Sequence, residues 1–241
     1  TLFRSTGKTL DNPKPISAAD LWAVLASSGS TAALVIGIFG VMAITSEYTT
    51  SAVQSSLTVN PRRGMFYATK SVATALFALV AGIVGILLAA GVLWLFTRGH
   101  DITALTSDQS RIIPVTLIGF PLTIVLVSLM AQGLGGMTRS TAGGVCALIV
   151  LFMVLSSVLS ITSMAINQVE WLGTLSYLTP DTAMNHFLGA GIESSSQSTL
   201  AAAVKPNYWI PDWWQSGLIL LAWAAAAWAG GLIVTKKADI K

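Results

Sequence analysis

Charge and cysteine are both scarce in this sequence. Asp, Glu, Lys and Arg make up 10% of its 241 residues, where a soluble domain carries about 25%. The shortage excludes a disordered chain, a coiled coil and a nucleic-acid-binding surface, each of which needs dense charge or low hydrophobicity. The formal net charge of +3 is therefore not a nucleic-acid footprint. A single cysteine, Cys146, rules out a disulfide framework and a cysteine-based metal site, and reads most simply as a small core residue. The two histidines, His100 and His186, fall on separate connections without a ligand set and read as surface residues. No Gly-x-Ser-x-Gly elbow offers a serine nucleophile. Gly7-Lys8-Thr9 imitates the end of a phosphate-binding loop, but the glycine required five positions earlier is Leu2. The chain is thus expected to have no ATP site, metal or cofactor of its own, and not to be an enzyme by itself.

Apolar surface is what the sequence has in excess: 54% of its residues are hydrophobic and the mean hydropathy is +0.73. A helix needs about 20 mostly apolar residues to cross a bilayer core of about 30 Å. Five stretches qualify: Leu21 to Ile44, Ser71 to Phe96, Ile112 to Met137, Thr141 to Met164, and Ser216 to Val234. None carries Asp, Glu, Lys, Arg or His in its interior, which argues against a proton relay or ion-coupled pump. Pro114 and Pro121 predict that the third span is kinked or begins properly only near Pro121.

Flanking charge sets the expected orientation. The 45–70 loop, the 138–140 turn and the C-terminal tail hold Arg62, Arg63, Lys70, Arg139, Lys236, Lys237 and Lys241 against only Glu47 and Asp239. The opposite connections hold more acids than bases, so the first set is read as cytosolic. Trp22, Trp94, Trp171, Trp209, Trp213 and Trp214 fall near the other boundary, where amphipathic rings collect, and only Trp223 and Trp228 lie within a span. Five spans with a cytosolic C-terminus put the N-terminus outside, yet residues 1–18 hold no apolar signal region. The expectation is an upstream first span absent from this sequence. Residues 1–20 then form the extracytoplasmic loop after it, and the intact protein has six spans with both ends inside.

The connection at 45–70 is the most informative segment. Thr45 or Ser46 can cap a helix with Glu47 in its first turn. Tyr48, Ala52 and Val59, with Val53 and Leu57, recur near helical spacing before Asn60-Pro61 ends the run and Arg62-Arg63-Gly64 follows. These residues suit an interfacial helix that only turns the chain around on lipid headgroups. They also suit a docking helix that receives motion from a soluble partner, although physical grounds alone favour the first reading.

Ser46-Glu47-Tyr48-Thr49-Thr50-Ser51-Ala52-Val53-Gln54, then Leu57, Pro61-Arg62-Arg63 and Lys70, resembles the first cytosolic loop of ABC-2 type ABC transporter permeases. The family's Glu-Tyr opens that segment, a Leu and a Pro-x-Arg close it, and a Lys begins the next span. Ser46, Ser51 and Gln54 depart from the commoner glycines and basic residue. Leu134-Gly135-Gly136-Met137-Thr138-Arg139-Ser140-Thr141-Ala142-Gly143-Gly144 is similar to the family's tight cytosolic turn, where small residues let two helices approach closely. Leu175-Ser176-Tyr177-Leu178-Thr179-Pro180, with Asp181 and Ala183, is similar to its outer segment before the last span.

That outer segment also has a local reading. Thr179 reads as an N-cap, Pro180 as the first helical residue and Asp181 as a first-turn acid, with Gly189 or Gly191 ending the helix. Val169, Trp171, Leu172, Leu175 and Leu178 give a short apolar stripe before it, so two short amphipathic helices dipping into the outer leaflet are expected. They are either a lid over helix ends or, by the resemblance, an outer gate at Tyr177, Leu178 and Pro180. Within the spans, Ser28 and Thr31 of the first, and Phe152, Ser156 and Ser160 of the fourth, are candidates for a translocation path. Small polar groups of this kind more often pack helices together.

The expected fold is an all-α membrane protein, a polytopic helical bundle. It carries a cytosolic coupling helix at about 46–60 and an outer re-entrant hairpin within about 165–213, residues 21–241 forming the ABC-2 type transmembrane domain. The resemblance implies a permease subunit of a bacterial exporter, multi-pass in the cell membrane. ATP and Mg2+ would sit on separate ATPase subunits, docked at Glu47, Tyr48, Val53, Leu57, Pro61, Arg62 and Arg63. A second permease chain, identical or homologous, would complete the path, with membrane lipid around it and no nucleic acid. An apolar path with scattered hydroxyls suits a drug, lipid or peptide cargo. The alternative is a non-transporting assembly or sensor subunit of the same fold.

Overall fold

Each of the five apolar stretches becomes a long helix in the computed structural model, which describes residues 16–49, 63–98, 102–103, 105–165, 170–192 and 209–237. The helices are α1 (Ala18–Thr49), α2 (Arg63–Thr97), α3 (Ile112–Thr138), α4 (Thr141–Ile149) continued through a π-helical turn (Val150–Val154) into α5 (Leu155–Ala165), the short α6 (Glu170–Tyr177) and α7 (Pro180–Leu188), and α8 (Trp213–Lys237). Five of these stretches are long and apolar enough to cross a membrane, ending at Glu47, Thr97, Thr138, Ser163 and Lys237. The protein is a polytopic, mainly helical membrane protein.

Among the described residues two departures from an all-helical chain are small. Ile16–Ser17 (β1) pairs in parallel with Ile102–Thr103 (β2), tying the entry of α1 to the exit of α2. A 3-10 turn at Ser107–Gln109 leads into α3.

The helices outrun the expected spans. With no Gly or Pro between Ile44 and Thr49, nothing stops α1, and Thr45, Ser46 and Glu47 belong to its last turns instead of capping a new helix. Thr45 Oγ1 donates back to Val41 O at 3.0 Å within that helix. On the other side α2 starts at Arg63, so Lys70 stands about two turns inside it. At 32 residues α1 is about 48 Å long, well beyond the hydrocarbon core.

The third span begins at Ile112, not near Pro121. Pro114 sits in its first turn, where the missing N–H has no intrahelical acceptor to serve. The helix continues through Pro121, whose ring lies against α2 at Gly82, where a Cβ would come within 2.8 Å of Pro121 Cα.

Glycine decides how closely the bundle closes. A Cβ at Gly133 would run into the Ala227 carbonyl of α8 and come within 2.7 Å of Trp228 N, and one at Gly231 would lie 2.9 Å from Gly133 Cα. Gly40 meets the Ser128 carbonyl, and a Cβ at Gly135 would lie 3.0 Å from Ile44 Cγ2 and 3.1 Å from Val41 O. Because these contacts advance together along both partners, α1, α3 and α8 run in one direction. Tyr67 meets Gly136 while Gly82 meets Pro121, so α2 runs against them. α3 is the hub: half of its span is buried, against 17% for α2, and Phe120, Ile124, Val127 and Met130 carry the core with Leu148, Phe152 and Leu220.

The turn from α3 to α4 is as tight as the small residues at 134–144 predict. Arg139 takes a left-handed conformation (φ 51°), and Ser140 caps α4 by accepting from Gly143 N at 3.4 Å.

Candidate functional site

Two polar girdles, one at each end of the bundle, hold nearly all the chemistry of the described residues. The first forms where α1 ends and α2 begins. Lys70 Nζ pairs with Glu47 Oε1; the Glu47 side chain is 16% exposed and the Lys70 side chain 36%. Glu47 Oε2 is buried and has no hydrogen-bond partner among the described residues. Beside the pair, Thr141 Oγ1 donates to Thr45 Oγ1 at 2.8 Å, fixing α4 to α1. Trp228 Nε1 donates to Ser71 Oγ at 2.7 Å, with the Tyr67 and Trp228 rings 5.7 Å apart, fixing α8 to α2. The α8 dipole ends here on Lys236 and Lys237.

Glu47, Tyr48 and Lys70, three of the residues that carry the family resemblance, thus lie at this end of the bundle. Val53, Leu57, Pro61 and Arg62 lie outside the described residues, as does most of the expected helix at 46–60; Arg63 is the first residue of α2.

The second girdle is the cap made by α6 and α7. Thr179 has the extended backbone of an N-cap, Pro180 opens α7 and Gly189 closes it. The seat for α7 is made of glycine. A Cβ at Gly29 of α1 would lie 2.7 Å from Leu188, one at Gly119 of α3 2.9 Å from Phe187, and one at Gly217 of α8 3.0 Å from Phe187. Polar bonds lock each side. Thr116 Oγ1 donates to Leu188 O (3.0 Å), Trp223 Nε1 to Leu178 O (2.8 Å) and Ser156 Oγ to Thr179 Oγ1 (3.0 Å).

A further set of these bonds forms a part-buried relay. Asn185 Nδ2 donates to Ser30 Oγ at 2.8 Å, and Ser30 Oγ donates to Asp181 Oδ1 at 2.7 Å. Burial pushes the Asp181 carboxyl above its ordinary value of 3.8, while the hydrogen bonds with Ser30 and Asn185 pull the other way. Tyr177 stands edge-on to His186, 5.7 Å between ring centroids, and His186 Nδ1 lies 3.0 Å from Ser216 Oγ. His186 is therefore half-buried, packed between Tyr177 of α6 and Ser216 of α8.

The path candidates separate into two groups. Ser28 and Thr31 line an apolar groove of about 390 Å³ between α1 and α2, floored by Phe120 and Ile124 of α3. Phe152 is buried in the core at the π-helical turn and Ser156 is bonded to Thr179, so both face the cap. Ser160, one turn further on, accepts from Ser163 Oγ at 2.8 Å through its carbonyl. The outer-gate candidates Tyr177, Leu178 and Pro180 all sit in the α6–α7 junction.

Cys146 is exposed on α4, not in the core. In a membrane an apolar side chain is equally at home facing lipid. Among the described residues no three His, Cys, Asp or Glu side chains are grouped to hold a metal ion. The sequence reading passed over Gln132, a fully buried polar side chain in the middle of the hub helix whose Oε1 and Nε2 have no partner among the described residues. A lone amide inside an apolar run was the available signal. No family model matches the sequence, and no curated protein does.

Proposed function

We propose that this chain is the membrane-spanning permease subunit of an ATP-driven ABC-2 type exporter in a bacterial cell membrane. Two such chains, identical or homologous, work with two cytosolic ATPase subunits that bind ATP and Mg2+. The observation that carries the reading is the segment Ser46–Lys70: an acidic Glu-Tyr start, a Pro-Arg-Arg close and a lysine beyond it. The two charged ends of that segment meet as an ion pair at the mouth of α1 and α2. Support also comes from spans with no ionisable side chain at mid-depth, which leaves an ion-coupled cycle without a carrier.

In this reading ATP binding draws the ATPases together, and the segment between α1 and α2 passes that motion to the spans as a rigid-body change. The α6–α7 cap at Tyr177, Leu178 and Pro180 closes the outer end. The apolar groove at Ser28 and Thr31 suits an amphiphilic or hydrophobic cargo.

Affinity purification from native membranes tests the proposal. An ATP-binding subunit is expected to copurify and to hydrolyse ATP, and Glu47→Lys is expected to uncouple hydrolysis from transport. A native complex that contains no ATP-binding protein overturns it.

A further inference from the structure

The inner half of the α1–α2 seam forms a second groove, of about 460 Å³, between Phe39 and Ala43 of α1 and Ala73 and Phe77 of α2. Its lining is mainly apolar, with Ser46 and Lys70 at one end, Thr74 one turn along α2 and Ser128 of α3 beside Gly40. From Ile36 to Ser46 it runs about 15 Å along α1, roughly the hydrocarbon depth of one leaflet. The groove is open along its side and lined mainly by apolar side chains, the surface against which an extended hydrocarbon chain lies.

The head end is electrically one-sided. Glu47 is turned inward, with its second oxygen buried, while the Lys70 side chain is the more exposed partner and lines the groove. Glu47 holds Lys70 in position and leaves the lysine as the more open end of the pair. The same end of the bundle carries Lys236, whose side chain packs against Gly64, and Lys237. A cation at the headgroup depth above an apolar slot is the chemistry that recognises a phosphate ester on an acyl chain.

We propose that this seam is a binding site for an anionic glycerophospholipid, one acyl chain lying between α1 and α2 and the phosphate on Lys70 with the Ser46 hydroxyl beside it. The site needs only a membrane-embedded bundle and stands whether or not the chain exports anything.

The test uses the full chain purified from native membranes in mild detergent, with lipid retention read by native mass spectrometry. After delipidation, phosphatidylglycerol and a diacylglycerol of the same acyl chains are added back. Phosphatidylglycerol is expected to bind at least about ten-fold more tightly, the discrimination one charge-assisted hydrogen bond supplies. The double variant Glu47→Gln/Lys70→Gln, which removes the ammonium without stranding a buried carboxylate, is expected to lose that preference. Ala73→Leu narrows the slot at an exposed position, leaves the ion pair alone, and is expected to weaken both lipids together. Equal binding of the two lipids, a preference that survives the double variant, or Ala73→Leu binding like the wild type overturns the proposal. So does a protein helix that cross-links stoichiometrically to Thr74 in the native complex.

Discussion

Replacing Gly133 with alanine tests the closest approach in the bundle. The added Cβ would run into the Ala227 carbonyl and stop 2.7 Å from Trp228 N, about 0.7 Å inside the 3.4 Å at which ordinary contact begins. Both neighbours are backbone, so no side chain can swing aside and α3 and α8 must part. Parting them also loosens Gly231 against Gly133 and Tyr67, and with it the Trp228–Ser71 bond. Overpacking of this kind costs about 1–3 kcal/mol, placed near the upper figure here because the obstruction is main chain. Gly91→Ala on α2 is the matched control: nothing lies within 4 Å of its Cβ, and removing a helical glycine there is expected to add about 0.5–1 kcal/mol. Unfolding midpoints of both variants in detergent, against wild type, decide the matter. A Gly133→Ala protein as stable as Gly91→Ala would refute the claim that backbone contact sets the α3–α8 distance.

Three further outcomes are expected. Trp228→Phe removes the indole donor to Ser71 and should cost about 0.6–1.7 kcal/mol; with Ser71→Ala in a double-mutant cycle, the combined loss should not exceed the larger single one, and additive losses would break the pairing. Arg139→Gly relieves a left-handed residue on an exposed turn and should raise stability by about 1 kcal/mol, so a lower melting temperature would refute strain at that turn. Asp181 ionises near 3.8 when unfolded and at higher pH when folded, so its contribution favours the folded chain most in acid. That contribution declines as pH rises through the raised value, above which the full cost of a buried carboxylate is present. Asp181→Asn should therefore gain on wild type in thermal stability between acid and neutral pH, and a constant difference across that range would refute the burial argument.

What could be read from the sequence followed from local chemistry. Spans announce themselves because a bilayer demands length and apolarity together, and each of the five expected stretches lies within an observed helical run. The start of α7 was legible for a different reason, since Thr179-Pro180 fixes it by backbone geometry, and the expected stop at Gly189 or Gly191 brackets the left-handed Ala190 and Gly191. Where punctuation was missing, between Ile44 and Thr49, the end of α1 was misjudged. Pairings such as Ser30 with Asp181, or Glu47 with Lys70, join residues on different helices and depend on how the bundle closes, which no local pattern encodes. The π-helical turn at Val150–Val154 lies in an unbroken apolar run, with no Gly or Pro to mark it. Cys146 and His186 erred in opposite directions for one reason: hydrophobicity no longer separates inside from outside when the solvent is lipid.

Helix α1 has a mechanical consequence. It runs 32 residues without a proline or a break in its hydrogen bonding, and it carries Ser30 and Glu47 about 26 Å apart along its axis. The tether to the cap and the tether to α2 are therefore fixed to a single stiff strut. A tilt that strains one must displace the other, so the two faces of the membrane cannot be disturbed independently.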